Sequence, residues 1–129
     1  MKIFFGSSIS TEMKFLISQD IEISNDLVIE KFSDGEILPK FLKSVRNEDI
    51  FLIQSLTNSN LIIETLLTMD AAKRAGCNSI SLVAPYLSYS RQDKTDHLRS
   101  SIGAKMMADI LESVGMATLI TIDLHASSI

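Results

Sequence analysis

The chain has 129 residues, 46% of them hydrophobic, which is enough for one domain with a buried core because domains cluster near ~100 to 150 residues. Two full domains are excluded by this length. The 16 acidic and 12 basic residues give a formal net charge of -4. Lys and Arg form no local basic stripe, so we expect no nucleic-acid partner.

Cysteine use and apolar stretches indicate the compartment. The single cysteine, Cys77, permits no intrachain disulfide, which is typical of a reducing environment. The apolar stretch Ile3 to Phe5 is shorter than the ~7 residues of a signal-peptide core. The most apolar long window, Leu61 to Met69, is broken by Glu64 and two Thr and falls short of the ~18 to 20 residues that span a bilayer. The sequence therefore predicts a soluble cytoplasmic protein with no membrane partner.

The amino-terminal part of the chain predicts a strand, a short helix and a hairpin. Lys2 to Phe5 has a strand pattern, and Thr11 to Ser18 has a helical one. Two extended runs, Leu27 to Phe32 and Glu36 to Leu42, flank a turn at 33–35. Its Asp-Gly dipeptide favours the positive φ of a hairpin. We expect a small antiparallel flap here.

From residue 49 onward, strands and helices alternate. This order predicts a parallel sheet with right-handed crossovers and helices packed on its faces, which is the α/β class. The predicted strands are Asp49 to Gln54, Ser79 to Pro85 and Thr118 to Ile122, and the predicted helices run from Asn58–Asn60 to Ala75 and from near Ser101 to Gly115. The inward face of the first helix is predicted to be Leu66, Leu67 and Ala71. That of the second is predicted to be Ile102, Met106, Ile110, Leu111 and Val114.

Polar side chains follow the predicted strand that ends at Pro85. The segment 79–94 reads SISLVAPYLSYSRQDK, an apolar run that changes abruptly to hydrogen-bonding residues. Ligands of parallel sheets bind outside the carboxyl ends of the strands. Arg91 offers a planar cation for a phosphate, and Gln92 offers an amide for the edge of a nucleobase. An ordinary solvated loop is the alternative interpretation.

Asp123 and His125 follow the last predicted strand. If the chain stays extended, both side chains point to the same side, with Cα atoms ~7 Å apart, and together they form part of a shell for a divalent cation. The alternative is that Asp123 caps a turn and His125 packs. Carboxyl ends of parallel strands meet at one edge, so Arg91, Gln92 and this pair are expected to converge.

The hairpin tip carries Asp34, Gly35 and Glu36. Its two carboxylates are suited to accept hydrogen bonds from an adenine amino group or from ribose hydroxyls, and a simple charged turn is the alternative. The chain contains no GxxxxGK[ST] sequence, which excludes a P-loop kinase.

Five segments, taken together and in order, resemble the ribose-phosphate diphosphokinase (phosphoribosyl diphosphate synthetase) family. They are FSDGE at 32–36, VRNEDIFLIQS at 45–55, MDAAKRAG at 69–76, APYLSYSRQDK at 84–94 and TIDLHASSI at 121–129. The resemblance implies a three-layer, phosphoribosyltransferase-like domain with a hairpin flap. It also implies transfer of the β,γ-diphosphoryl group of ATP to ribose 5-phosphate, with Mg²⁺ as the cofactor, by a cytoplasmic homo-oligomer of the hexamer-of-dimers type.

The resemblance also assigns roles to residues. Arg91 and Gln92 match the ATP-contacting pair of the family, and Asp123 and His125 match its metal-binding D-L-H element. Residues of the flap match a segment that reaches the ATP site of a neighbouring subunit. These flap residues are Phe32, Asp34, Gly35 and Glu36.

The chain departs from the family pattern in extent and in detail. Gly103 stands where the family commonly has Ser or Thr, and the segment KTDHLRSS at 94–101 lacks the usual proline and basic character. Residues 1–129 contain no counterpart of the loop that grips ribose 5-phosphate, of the catalytic Lys or of further metal ligands. We therefore expect the amino-terminal ATP-binding domain alone, without synthetase activity. The alternatives are a non-catalytic regulatory or binding paralogue and a stand-alone flavodoxin-like binding domain.

Overall fold

In the computed structural model, which describes residues 1–95, 98–122 and 124, strands and helices follow the predicted order. The strands are β1 (Lys2–Phe5), β2 (Leu27–Lys31), β3 (Ile37–Phe41), β4 (Asp49–Ile53), β5 (Ser79–Ala84) and β6 (Thr118–Thr121). The helices are α1 (Thr11–Ser18), α2 (Ser59–Arg74) and α3 (Gly103–Ser113). No helix among the described residues is both long and apolar enough to cross a membrane.

Four strands form a parallel sheet in the order β1-β4-β5-β6, which confirms the α/β prediction. Strands β2 and β3 form a separate antiparallel pair, which confirms the predicted hairpin. Gly35 at its tip has φ of +97°, a conformation that glycine adopts without steric cost. Helix α2 begins after Asn58, whose side chain accepts a hydrogen bond from the backbone N–H of Leu61.

One face of the sheet carries the hydrophobic core. Phe4 is paired with Leu52 and Leu52 with Leu82, so the three side chains point to the same side. They form a single buried cluster with Met69 of α2 and Met107 of α3, which places both helices on this face. Full burial of each such side chain stabilises the fold by ~1.5 to 3 kcal/mol.

Helix α1 lies by the opposite face. Phe5 alternates with Phe4 and therefore points away from the main core, and Lys14 of α1 lies with its Nζ 5.9 Å from the centroid of the Phe5 ring. Helix α1 has no buried residue, and Phe15 and Leu16 are exposed. The domain thus has three layers, of which the α1 layer is the more loosely packed.

The inward face of α2 differs from the prediction. Leu67 is 40% exposed, and Leu66 and Ala71 are only partly buried. The buried residues of α2 are Ile62, Glu64, Thr65, Thr68, Met69 and Ala72. Thr65 and Thr68 tolerate burial because each hydroxyl donates to the backbone carbonyl four residues earlier, at 2.8 and 2.7 Å. A prediction from hydropathy places threonines on the solvent side. The predicted buried face of α2 is therefore rotated about the helix axis relative to the observed one.

The inward face of α3 is also shifted. Met106 is 45% exposed and Ile102 is exposed, whereas Met107 is buried beside Ala104. Leu111 is buried, as predicted. Two adjacent methionines suit either face by hydropathy, and in the structure Met107 lies on the same helix face as the buried Ala104 and Leu111.

Asp49 at the start of β4 ties this strand to β5. Its Oδ1 accepts hydrogen bonds from Ser79 Oγ and Asn78 Nδ2, both at 2.6 Å. The Ser79 hydrogen bond, and then that from Asn78, hold the pKa of Asp49 below its ordinary value of 3.8.

We expect Asp49→Asn to weaken the dependence of thermal stability on pH in the acidic range. A lowered folded-state pKa means that the carboxylate contributes stability above pH 3.8, and that the contribution is lost as pH falls through the folded-state pKa. The variant should therefore show a shallower fall in Tm below about pH 4 than the unsubstituted protein. Thermal melts over a pH series test this, with the exposed Asp20→Asn as control. Equal slopes for all three proteins would contradict it.

Candidate functional site

The carboxyl ends of β5 and β6 lie side by side. The strands are parallel neighbours, and Ala84 is paired with Thr121 at their last positions. The chain therefore leaves both strands at the same edge of the sheet, as predicted. Asp123 and His125, the predicted metal pair, lie outside the described residues. Within the part that the structure describes, no group of three or more His, Cys, Asp or Glu side chains is arranged to hold a metal.

The segment after β5 is anchored on the segment after β4. Leu56 and Leu87 form an isolated parallel bridge, in which the Leu56 N–H donates to the Tyr86 carbonyl at 2.8 Å. The Ser88 N–H donates to the Leu56 carbonyl at 3.0 Å, and the Ser88 hydroxyl donates to the same oxygen. These bonds hold the start of the polar loop against the strand ends.

Arg91 and Gln92 follow this anchored stretch in a tight turn. The Gln92 N–H donates to the Tyr89 carbonyl at 2.9 Å, and the Ala104 N–H of α3 donates to the Gln92 carbonyl at 3.1 Å. Both Arg91 and Gln92 are exposed. Among the described residues no carboxylate forms an ion pair with the Arg91 guanidinium. A fixed backbone and an accessible cation are suited to binding an anion.

The hairpin tip is a solvated turn with one carboxylate engaged. Asp34 Oδ1 accepts a hydrogen bond from the Glu36 N–H at 3.0 Å, so Asp34 stabilises the turn itself. Phe32 is 45% exposed. Gly35 and Glu36 are also exposed.

A cavity of about 870 Å³ is lined by both the hairpin and α2. Gly35 and Glu36 line it from the hairpin, and Asn60 and Glu64 line it from the helix. In the described part of the chain, neither member of the Arg91 and Gln92 pair lines this cavity. The hairpin tip and the Arg91 and Gln92 pair of the same chain therefore do not meet in this cavity.

A polar cluster at the carboxyl ends of β1 and β4, centred on the buried Gln54 and Glu64, was missed by the sequence analysis. Glu64 accepts hydrogen bonds from the Ser7 N–H at 2.8 Å, the Ser7 hydroxyl at 2.5 Å and Gln54 Nε2 at 2.9 Å. Gln54 Oε1 in turn accepts from the Ser8 N–H at 2.9 Å, and the Ser55 N–H donates to the Ser8 hydroxyl at 2.8 Å. The cluster joins β1, β4 and α2 beside the anchored loop.

Gly6 makes this cluster possible. A Cβ at position 6 would lie 2.2 Å from Gln54 Oε1, so only glycine leaves room for the Gln54 amide. A signal for the cluster was present in the sequence, because Glu64 is a single carboxylate within an apolar helical window. Such a group is almost never fully buried unless it is paired.

Comparisons with known proteins agree with this fold. Residues 1–115 match the family described as the N-terminal domain of ribose phosphate pyrophosphokinase. The ribose-phosphate pyrophosphokinase of Porphyromonas gingivalis is 48% identical over 102 residues, which are 78% of this chain and 33% of that protein. The ribose-phosphate pyrophosphokinase of Helicobacter pylori is 43% identical over 128 residues, which are 97% of this chain and 38% of that protein.

A solved structure has the same architecture. The phosphoribosylpyrophosphate synthetase from Mycobacterium smegmatis superimposes with a TM-score of 0.88 and 28% sequence identity, covering 98% of this chain and 43% of that chain. The chain thus spans only about two fifths of the length of that synthetase, and 33% to 38% of the two curated relatives named above.

Proposed function

Because this chain belongs to the family of N-terminal domains of ribose phosphate pyrophosphokinase, we propose that it supplies the ATP-binding part of such an enzyme. The whole enzyme is a transferase of nucleotide biosynthesis that moves the diphosphoryl group of ATP to ribose 5-phosphate and releases AMP. One observation carries the proposal for this chain. Arg91 and Gln92 stand on a hydrogen-bonded loop at the carboxyl edge of the sheet, where parallel α/β sheets bind ligands.

Each member of the pair has a role suited to its chemistry. The Arg91 guanidinium binds the phosphates of ATP, for which a planar cation with several donors is well matched. The Gln92 amide, which carries both a donor and an acceptor, binds the edge of the adenine. The anchoring of the loop through Leu56 and Leu87 limits the conformational entropy that binding has to remove.

The hairpin contributes to the ATP site of a neighbouring subunit in a homo-oligomer. Phe32 covers the adenine, and Glu36 accepts hydrogen bonds from the nucleoside, while Asp34 and Gly35 shape the turn. The support for this is that all four residues are exposed at the tip. The exposed Phe32 gains from burial against a ligand or a second subunit.

Asp123 and His125 hold Mg²⁺ in this proposal. A carboxylate is a preferred ligand of this ion, and an imidazole beside it is suited to a site completed by water and phosphate oxygens. Mg²⁺ offsets the charge of the triphosphate in a chain whose formal net charge is -4.

The proposal predicts a thermal shift that depends on Arg91. A ligand that binds only the folded state stabilises it, by ~2.7 kcal/mol at a concentration 100 times the Kd. We expect Mg²⁺ and ATP to raise the Tm of the protein, and Arg91→Ala to remove most of the rise. The exposed Arg74→Ala on α2, which loses only a surface ion pair with Asp70, serves as the matched control.

Differential scanning fluorimetry over a series of ATP concentrations, with and without Mg²⁺, provides the measurement. The assignment of Arg91 is wrong if its alanine variant keeps the full shift or if both arginine variants lose it equally.

A further inference from the structure

Thr121 is the last residue of β6 and lies at the carboxyl edge of the sheet. It is paired with Ala84, the last residue of β5, so it stands beside the strand end from which the polar loop leaves. Two positions earlier, Leu119 is paired with Leu82, and Leu82 belongs to the hydrophobic core. Because side chains alternate along a strand, Thr121 points to this same core face.

The Thr121 hydroxyl is buried and has no hydrogen-bond partner. Among the residues that the structure describes, its Oγ1 is the only buried side-chain oxygen or nitrogen without one. The hydroxyls of the buried Thr65 and Thr68, in contrast, each donate to a backbone carbonyl. A buried polar group without a partner destabilises a fold because it has given up its hydrogen bonds to water. The Thr121 hydroxyl therefore costs stability in the ligand-free protein.

The surroundings of this hydroxyl are better suited to a methyl group. Ala84, its neighbour on β5, is apolar and 0% exposed. Valine has nearly the shape of threonine and favours strands as strongly, but it has no hydroxyl to leave unpaired. A hydroxyl that costs stability at the edge of a proposed site is explained if it gains a partner when the site is filled.

We propose that Thr121 is a positioning residue for the metal, whose hydroxyl donates to the Asp123 carboxylate when that carboxylate holds Mg²⁺. Residues two apart in an extended chain lie on the same side, with Cα atoms ~7 Å apart, a separation that these two side chains can bridge. Carboxylates that bind a metal are themselves hydrogen-bonded, and such bonds fix their orientation. The inference rests on the proposed function, in which Asp123 is a ligand of Mg²⁺.

Stability and binding should respond to Thr121→Val in opposite directions. The valine removes an unpaired buried hydroxyl, so we expect the Tm of the ligand-free protein to rise by ~3 °C. The Kd for ATP in the presence of Mg²⁺ should rise about tenfold, since the carboxylate loses the hydrogen bond that orients it. Differential scanning fluorimetry gives the Tm, and isothermal titration calorimetry gives the Kd. A change that only loosened the fold would lower the Tm as it weakened binding.

Two variants and one condition serve as controls. Thr121→Ser keeps the hydroxyl, so its Kd should stay within about twofold of that of the unsubstituted protein. Thr118→Val makes the same exchange of a hydroxyl for a methyl group at an exposed position of β6, and it should change neither quantity appreciably. With EDTA in place of Mg²⁺, Thr121→Val and the unsubstituted protein should not differ in ATP binding.

Each result decides between the positioning role and its alternatives. A lower Tm for Thr121→Val, or its failure to fold, would show that the hydroxyl has a partner in the ligand-free protein and would overturn the inference. An unchanged Kd for Thr121→Val overturns the positioning role and leaves the ATP site standing. Equal losses for Thr121→Val and Thr121→Ser, or an equal loss with and without Mg²⁺, mean that the effect does not pass through the hydroxyl and the metal. If the unsubstituted protein does not bind Mg²⁺ and ATP, the proposed function and this inference both fall.

Discussion

Gly6→Ala is expected to destabilise the fold by about 3 kcal/mol, because the new methyl group and the Gln54 amide cannot share the same space. A Cβ at position 6 would approach Gln54 Oε1 to 2.2 Å and Gln54 Cδ to 2.4 Å. Gln54 is only 1% exposed and is hydrogen-bonded to Ser8 and Glu64, so its side chain cannot move aside without breaking both bonds. Urea unfolding followed by circular dichroism measures the loss.

Removal of the obstructing amide provides the control for Gly6→Ala. Gln54→Ala by itself loses the hydrogen bonds, but it opens the space that a Cβ at position 6 requires. The double variant should therefore be no less stable than Gln54→Ala alone, since the two changes act on one contact. Additive losses would show that the effect of position 6 arises elsewhere, for example in the backbone of the turn.

Glu64→Ala is expected to cost a similar amount, about 3 kcal/mol, because it leaves three donors without their acceptor. These donors are the Ser7 N–H, the Ser7 hydroxyl and the Gln54 amide. The Gln54 amide is the costly donor because Gln54 is 1% exposed and water replaces the lost carboxylate there only in part, whereas Ser7 is exposed and its donors bind water more readily. Chemical unfolding gives the difference in the free energy of unfolding.

Two further variants make the Glu64 prediction specific. Glu112→Ala, an exposed change on α3, should alter stability by less than about 0.5 kcal/mol. Glu64→Gln keeps one oxygen as an acceptor but turns an NH₂ group toward the remaining donors, so its cost should be intermediate. A Glu64→Gln variant as stable as the unsubstituted protein would mean that one acceptor oxygen suffices for the cluster.

The stability of this cluster bears on the proposed function. The cluster lies at the ends of β1 and β4, and the segment that continues from Gln54 reaches Leu56, which anchors the loop of Arg91 and Gln92. Changes at Gly6 or Glu64 are therefore expected to loosen the edge of the sheet on which ATP is proposed to bind. The sheet edge and the loop of Arg91 and Gln92 are joined through these hydrogen bonds.

The strands, the hairpin turn and the polar loop were predictable because each is marked by a few consecutive residues. Buried strands such as β4 and β5 are short apolar runs, and Asp-Gly specified the hairpin turn through the backbone freedom of Gly35. Parallel strand order followed from the alternation of strands and helices. The polar loop after β5 was recognisable because its composition changes abruptly at the strand end.

The helix faces were not predictable by hydropathy. The burial of Thr65 and Thr68 is tolerated because their hydroxyls bond within α2. Met107, and not Met106, lies on the helix face of the buried Ala104 and Leu111. In both helices the choice depends on which neighbours fill the space, and no local pattern contains that information.

The sequence by itself determined the α/β class, the order of strands and helices, the hairpin and the placement of Arg91 and Gln92 just beyond a strand end, since periodicity and turn residues act over a few positions. Only the tertiary structure decided that Gly6 is required for space, because a Cβ there would meet the buried Gln54 side chain. Gln54 lies 48 positions beyond Gly6 in the chain. A contact of this kind forms only when the chain folds, so the local sequence pattern does not reveal it.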